Sequence, residues 1–258
     1  MLYSAVRRDE HMERPVIFLI LTKKRIYYIA ILIILIALIA ILPSKAVRKV
    51  MSFYKNRPLH NRTIVIDPGH GGIDGGTYSG DILEKNINLA IGLKLKEQLI
   101  KKGATVVMTR ETDDSLDEYG SGGSRHRRDL NARANIVNDN KADVFISIHV
   151  NHTKNSNKKG PIVFYYTTSE ESKYLAEHMQ IYLNKLSTYK NIDMDVNHSA
   201  TPGEYYILKN TKSIGVIIET GFISNETDRR LLLENEHQDE IVELITKSII
   251  SYFNEDGQ

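Results

Sequence analysis

The sequence contains no cysteine and no tryptophan among its 258 residues. The lack of cysteine excludes disulfides, thiolate metal ligands and a thiol nucleophile, so any metal site must be built from His, Asp and Glu. Hydrophobic residues make up 41% of the chain and charged residues 26%. This balance is typical of a globular protein, and it excludes a disordered chain, a fibrous repeat and a polytopic membrane protein.

The net charge of +2 hides an uneven distribution of charge along the chain. Residues 1–62 hold 12 Lys and Arg against 3 acids, whereas residues 63–258 hold 22 against 29. The larger part is therefore acidic, which argues against a basic face that binds nucleic acid. We expect no nucleic-acid partner.

Only one long apolar run is present, at residues 26–42. As a helix it would extend about 25 Å, close to the ~30 Å thickness of a hydrocarbon core. Three basic residues precede it, at Lys23 to Arg25. The pattern predicts a transmembrane signal anchor at 26–42, a cytoplasmic tail at 1–25 and an extracytoplasmic remainder. The alternatives are a cleaved signal peptide that leaves a secreted protein, and a buried core helix.

Residues 43–62 are basic and show no helical or strand periodicity, so we predict a linker there. Residues 63–258 then form one folded domain, long enough to bury a sizeable core. Short apolar runs alternate with amphipathic segments in this domain. They predict strands at 63–66, 104–108, 144–148, 162–166 and 215–218, and helices at 86–102, 129–138, 170–186 and 237–253.

This alternation predicts an α/β fold with a mostly parallel, twisted sheet of about six strands and helices on both faces. The polar, Gly- and Ser-rich segment 112–128 is predicted to be a mobile surface loop near the functional site.

Ligands of open α/β sheets bind beyond the carboxyl ends of the strands. His70 follows the first strand in a glycine-rich turn, His149 ends the third strand, and Glu219 ends the strand at 215–218. Glu84 stands just before the helix that follows the first strand. Two His and two Glu that are far apart in sequence can therefore meet at one edge of the sheet.

This set of residue types suits zinc hydrolysis. A catalytic zinc takes three protein ligands and keeps an open position for water, and His and carboxylate serve where cysteine is absent. His70, Glu84 and His149 would be the ligands, which leaves Glu219 as a general base. Each residue alone also has an ordinary explanation: a histidine satisfied within the core or on the surface, or a glutamate that pairs with a helix dipole.

Five segments in order resemble the zinc-dependent N-acetylmuramoyl-L-alanine amidases that cut bacterial peptidoglycan: TIVIDPGHGGIDGG, LEKNINL, GATVVMTRETD, ADVFISIHVN and IIETGFISN. The resemblance covers roughly residues 63–253. It implies one Zn²⁺ per chain on His70, Glu84 and His149, with Glu219 as the catalytic acid and base. It also implies peptidoglycan as substrate, and makes 63–258 the catalytic amidase domain.

One departure from the family pattern indicates a subgroup. The loop after the second strand is stretched to SLDEYGSGGSRHRRD, and Leu130, Arg133 and Val137-Asn138 follow it. Together with a single N-terminal apolar segment and no wall-binding repeats, this resembles the sporulation amidases. Those enzymes strip peptide from muramic acid during spore cortex maturation, before muramic lactam forms.

Three other functions stay open from the sequence. They are a housekeeping cell-wall amidase, a zinc peptidase that acts on stem peptides, and a non-catalytic wall-binding module. Whether a protein partner activates the enzyme is not indicated by the residues.

Overall fold

The computed structural model describes residues 23–255. The chain divides into two compact units between Ser52 and Phe53. Residues 1–22, which make up most of the predicted cytoplasmic tail, and residues 256–258 lie outside the described part.

The first described element is helix α1, Lys23–Asn56. It contains the apolar run at 26–42 and continues beyond Pro43, so residues 43–56 are helical where the sequence predicted an unperiodic linker. Lys, Arg, Ala and Met in this stretch are good helix formers, and their propensity outweighs the lack of an apolar period. Among the residues whose side chains the structure describes, which leave out 38–48 of α1, no helix combines the length and the apolar character needed to cross a membrane. The membrane anchor at 26–42 stays a prediction from the sequence.

The second unit contains the remaining elements. Its strands are β1 Thr63–Pro68, β2 Tyr78–Ser79, β3 Ile82–Leu83, β4 Thr105–Met108, β5 Val144–Asn151, β6 Ile162–Tyr166, β7 Thr201–Gly203 and β8 Ile214–Phe222. Its helices are α2 Glu84–Lys101, α3 Arg125–Asp139, α4 Glu170–Leu183, α5 Ser187–Lys190, α6 Tyr206–Asn210, α7 Glu226–Leu231 and α8 Asn235–Glu255.

Six of these strands form one sheet in the order β4-β1-β5-β8-β6-β7. All neighbouring pairs are parallel except β6 and β8, which are antiparallel. The prediction of a mostly parallel sheet of about six strands is confirmed. The sequence did not predict β7, because three residues that include Pro202 show neither alternation nor an apolar run.

Alternate residues of the central strands enter two hydrophobic cores, one on each face of the sheet. Ile64, Ile146 and Ile218 pack with α2, α4 and α8, whereas Val65 and Phe145 pack with α3 and α6. Strands buried on both faces read as continuous apolar runs, as β1, β5 and β8 do. The predicted helices on both faces are confirmed.

Helix α3 begins at Arg125, four residues before the predicted start at Asp129. Ser124 caps it, and its side chain accepts a hydrogen bond from the Arg127 N–H (3.3 Å). The first turn consists of polar residues without an apolar period, so the sequence pattern does not predict it. The Ser124 cap holds it together with contacts that Arg125 and Arg128 make to the preceding loop.

Candidate active site

The first site residue, His70, lies in the glycine-rich turn that follows β1. Its φ is 62°, in the left-handed region that disfavours residues with a side chain. Gly71 and Gly72 also have positive φ, at 138° and 56°. The turn therefore doubles back sharply and brings the His70 ring over the end of the sheet.

Glu84 is the first residue of α2, and it is buried, with 2% of its side chain exposed. Its Oε2 accepts hydrogen bonds from the Thr77 N–H (2.7 Å) and the Thr77 hydroxyl (3.0 Å). Its Oε1 accepts from the Val150 N–H (3.0 Å) and the Asn88 amide (3.3 Å). These donors fix the carboxylate in one orientation.

His149 lies near the carboxyl end of β5, with its ring against the backbone of Gly69. A Cβ atom on Gly69 would lie 2.2 Å from His149 Cε1, so only glycine leaves room for the imidazole there. The rings of His149 and His70 meet edge to face, with centroids 5.0 Å apart.

The structure brings His70, Glu84 and His149 together, with one ligand atom from each within 4.8 Å of the others. His149 Nδ1 lies 2.9 Å and His70 Nε2 lies 3.3 Å from Glu84 Oε1. Two imidazole nitrogens and one carboxylate form a donor set that zinc accepts with a fourth position left open. The residues present therefore fit the predicted metal.

Asp74 is a functional candidate that the sequence prediction missed. Its Oδ2 lies 2.9 Å from His70 Nδ1, the ring nitrogen that faces away from Glu84. Carboxylates in this position fix the tautomer and orientation of metal-binding histidines. The available signal was an acidic residue four positions after His70, within the same glycine-rich turn.

The charges of this cluster shift the pKa values of its members. Burial alone would lower the pKa of His70, but the hydrogen bonds to Asp74 and Glu84 raise it to about 10. Burial alone would raise the pKa of Glu84, but the contacts with His149 and His70 hold it well below its usual range. Glu84 is therefore ionised over the physiological range, as a metal-binding carboxylate must be.

Glu219 lies on β8 beside His149 and differs from Glu84 in its environment. Among the described residues, its buried Oε2 has no hydrogen-bond partner. Burial raises the pKa of Glu219 to about 7; nearby His149 opposes this shift and Glu84 adds to it. A carboxyl group with a pKa near neutrality and a free oxygen is suited to accept and return a proton. The two glutamates thus have their pKa values moved apart, which is how acid–base and ligand roles are divided in enzymes.

The loop after β4 lies against the His70 turn, as the sequence predicted for its position. Asp113 accepts a hydrogen bond from the Gly72 N–H (2.8 Å) and pairs with Lys85 (2.6 Å). Tyr205 lies close enough to Glu219 that burial and the charge of Glu219 raise the pKa of its phenol.

The carboxyl edge of the α/β sheet carries a His–Glu–His cluster and a separate glutamate, which are residue types that suit a metal-dependent hydrolase. Residues 64–251 match the family model of N-acetylmuramoyl-L-alanine amidases. The chain belongs to this family and is an enzyme of that class, as the resemblance of its five segments predicted. A non-catalytic wall-binding module is thereby excluded.

Relatives with known names agree with this assignment. The chain is 34% identical over 202 residues to the germination-specific N-acetylmuramoyl-L-alanine amidase of Bacillus subtilis, covering 78% of this chain and 83% of that protein. It is 33% identical to the probable cell wall amidase LytH of Staphylococcus saprophyticus, covering 77% of this chain but only 61% of LytH.

A solved structure is similar as well. The CwlD amidase from Clostridioides difficile, solved in complex with the GerS lipoprotein, superposes with a TM-score of 0.69 at 34% identity. The match covers 75% of this chain and 99% of CwlD.

Proposed function

We propose that this enzyme is a zinc amidase that acts in spore cortex maturation. It would cut the amide bond between the lactyl group of N-acetylmuramic acid and the L-alanine of the stem peptide. The contrast between Glu84 and Glu219 carries this proposal, because it provides one glutamate suited to hold a cation and another suited to move a proton.

His70, Glu84 and His149 would hold the Zn²⁺. When bound, zinc acts as a Lewis acid towards the scissile carbonyl and the attacking water. Asp74 would keep His70 in the tautomer whose Nε2 faces the metal. The Thr77 and Val150 donors would keep the Glu84 carboxylate in place during turnover.

Glu219 would act as the general base and then as the general acid. Its Oε2 has no hydrogen-bond donor among the described residues to compete with a water molecule. It would take a proton from the attacking water and pass it to the departing alanine nitrogen. The products would be a lactyl carboxylate on the muramic acid and a free stem peptide.

The role in sporulation rests on the germination-specific relative and on the lengthened segment at 115–129 between β4 and the body of α3. Without its peptide, the lactyl carboxyl group can condense with the amino group of the same sugar once that group is deacetylated; a C–N bond forms, one water is lost, and the product is muramic lactam. The name of LytH supports action outside the cytoplasmic membrane, where cell-wall substrate is found. The similarity to LytH also supports the alternative function, that of a vegetative cell-wall amidase.

A complementation experiment separates the two roles. The chain is expressed during sporulation in a Bacillus subtilis strain that lacks its own germination-specific amidase, and muramic lactam in the cortex is quantified. We expect the wild-type chain to restore the lactam and Glu219→Gln to leave it absent. A wild-type chain that cleaves vegetative peptidoglycan in vitro but restores no lactam would overturn the sporulation role.

The complex of CwlD with the GerS lipoprotein also supports a lipoprotein partner for this chain. Size-exclusion chromatography of the purified chain mixed with GerS tests this interaction. A shared peak of defined stoichiometry is expected, and two separate peaks would contradict it.

A further inference from the structure

Arg110 lies in the loop after β4, and its side chain donates hydrogen bonds to backbone carbonyls around the active site. Its Nε donates to Pro68 O (2.8 Å), and its Nη2 donates to Gly69 O (3.0 Å) and Lys85 O (2.9 Å). Its Nη1 donates to Thr112 O (3.0 Å). The residue is 4% exposed.

The burial of this guanidinium is costly. Among the described residues it forms no ion pair and no hydrogen bond with a carboxylate. Burial, together with the nearby charge of Arg133, lowers its pKa, and the charges of Asp67, Asp113 and Asp129 only partly oppose this shift. A buried cation whose hydrogen bonds go only to neutral groups adds little to the free energy of unfolding, because these bonds only partly offset the free energy of hydration lost on burial. A role in the function of the site explains its position better than a role in stability.

The four carbonyls show which parts of the site Arg110 connects. Gly69 immediately precedes His70, and Lys85 immediately follows Glu84. One planar guanidinium group therefore fixes the backbone next to two of the three metal-binding side chains. The two segments belong to different elements, the turn after β1 and the start of α2.

The turn that carries His70 needs such a restraint. A left-handed backbone conformation is unfavourable for a residue with a side chain, so the surrounding structure must hold it. Arg133 holds the other side of the turn, where its Nη2 donates to His70 O (2.7 Å) and its Nη1 to Pro68 O (3.0 Å). Three consecutive carbonyls, from Pro68 to His70, thus accept hydrogen bonds from two buried arginines.

We propose that Arg110 is a positioning residue that sets the separation of His70 and Glu84 and thereby the zinc affinity of the site. The inference rests on the proposed zinc function. Arginine is required because its planar fork binds several carbonyls at fixed spacing, whereas lysine is a point charge on a flexible stem. Arg133 is a poorer test position, because its loss would leave Asp67 and Asp129 buried without their partner.

The experiment compares full-length wild type with Arg110→Lys and Arg110→Gln. The control is Arg229→Lys, whose Nη1 donates to a single carbonyl, Ile223 O (3.0 Å), that is not adjacent to any of the three ligands. Zinc affinity is measured by competition with a chromophoric chelator, and urea unfolding of the metal-free proteins is measured in parallel. Steady-state kinetics on peptidoglycan at saturating zinc complete the comparison.

We expect both Arg110 variants to bind zinc roughly 10–100-fold more weakly, the usual effect of losing an outer-shell partner. The Lys variant should not rescue the affinity, and kcat should fall more than KM changes even where zinc is saturating. Arg229→Lys should bind zinc like the wild type. An Arg110→Lys protein that unfolds more easily but keeps wild-type zinc affinity and kcat would reduce Arg110 to a structural role. A wild-type protein that binds no zinc would instead overturn the proposed function itself.

Discussion

His149 and Glu219 occupy the same register position of the parallel strands β5 and β8. Residues at the same register position of neighbouring strands project from the same face of the sheet. The side chains of His149 and Glu219 are therefore adjacent. The Thr220 hydroxyl donates to His149 O (2.9 Å) and ties the strands together at this level. A candidate metal ligand and a candidate proton acceptor are thus placed side by side by rigid elements, and the three other site residues join them from turns and a helix end.

The first prediction separates the two glutamates. Glu219→Gln keeps the shape of the side chain but cannot accept a proton, so we expect turnover to fall roughly 10²–10⁴-fold with zinc retained. Glu84→Gln should lose zinc, because a neutral amide oxygen is a poorer ligand than a carboxylate. Metal analysis after dialysis and turnover are measured for both proteins. A zinc-free Glu219→Gln beside a zinc-replete Glu84→Gln would reverse the two roles.

The second prediction uses two glycines with similar backbone conformations. Gly76 has φ of 70° and Gly80 has φ of 58°, so alanine costs a similar conformational strain at each. A Cβ on Gly76 would lie 2.6 Å from Glu84 Oε2 and 2.8 Å from His70 Cδ2, whereas one on Gly80 would meet nothing within 4 Å. We expect Gly76→Ala to weaken zinc binding strongly and Gly80→Ala to leave it unchanged. Equal zinc affinities in calorimetric titrations of the two variants would contradict the placement of the ligands.

The third prediction concerns Asp74. Asp74→Asn removes the charge behind His70 and leaves a similar shape, so zinc affinity should fall roughly 10–100-fold. Asp81→Asn serves as a control on the neighbouring β2–β3 turn. Chelator competition measures both variants, and an Asp74→Asn protein with wild-type affinity would show that His70 needs no orienting carboxylate.

The fourth prediction is a pH dependence of stability that originates at His237. This histidine is fully buried, and burial lowers its pKa to about 4, while the charge of Glu240 opposes this shift. Below pH ~6.5 the His237 side chain is protonated in the unfolded chain but stays neutral in the folded protein. The free energy of unfolding therefore decreases as the pH falls from ~6.5 towards 4. The difference amounts to about 3 kcal/mol.

Urea unfolding of the wild type and His237→Gln at neutral pH and near pH 4.5 measures this effect. The variant should lose less stability on acidification than the wild type, because its side chain does not titrate. Identical losses in the two proteins would exclude His237 as the source.

The ligand candidates could be predicted from sequence because each stands where a readable element ends. His149 and Glu219 close continuous apolar runs, His70 follows one, and Glu84 precedes an amphipathic segment. The carboxyl edge of a parallel sheet then brings them together whatever the lengths of the connections.

Asp74 and Arg110 could not be assigned in this way, since their roles depend on the path of the chain through turns. Asp74 reaches His70 because His70, Gly71 and Gly72 all adopt positive φ and turn the chain back on itself. Arg110 lies 41 residues from the Gly69 carbonyl that it binds, and no local pattern encodes that contact. Strand β7 was missed for a related reason: its pairing with β6, and not its own sequence, makes it a strand.

The most direct test of the whole account is mass spectrometry of muropeptides after the purified full-length chain has digested peptidoglycan, with added zinc and with a chelator. The account predicts muramic acid residues that carry a free lactyl carboxylate, together with released stem peptides that begin at L-alanine, and it predicts that the chelator abolishes both. Shortened stem peptides that remain attached to muramic acid would show a peptidase, and products unaffected by the chelator would contradict a metal-dependent site.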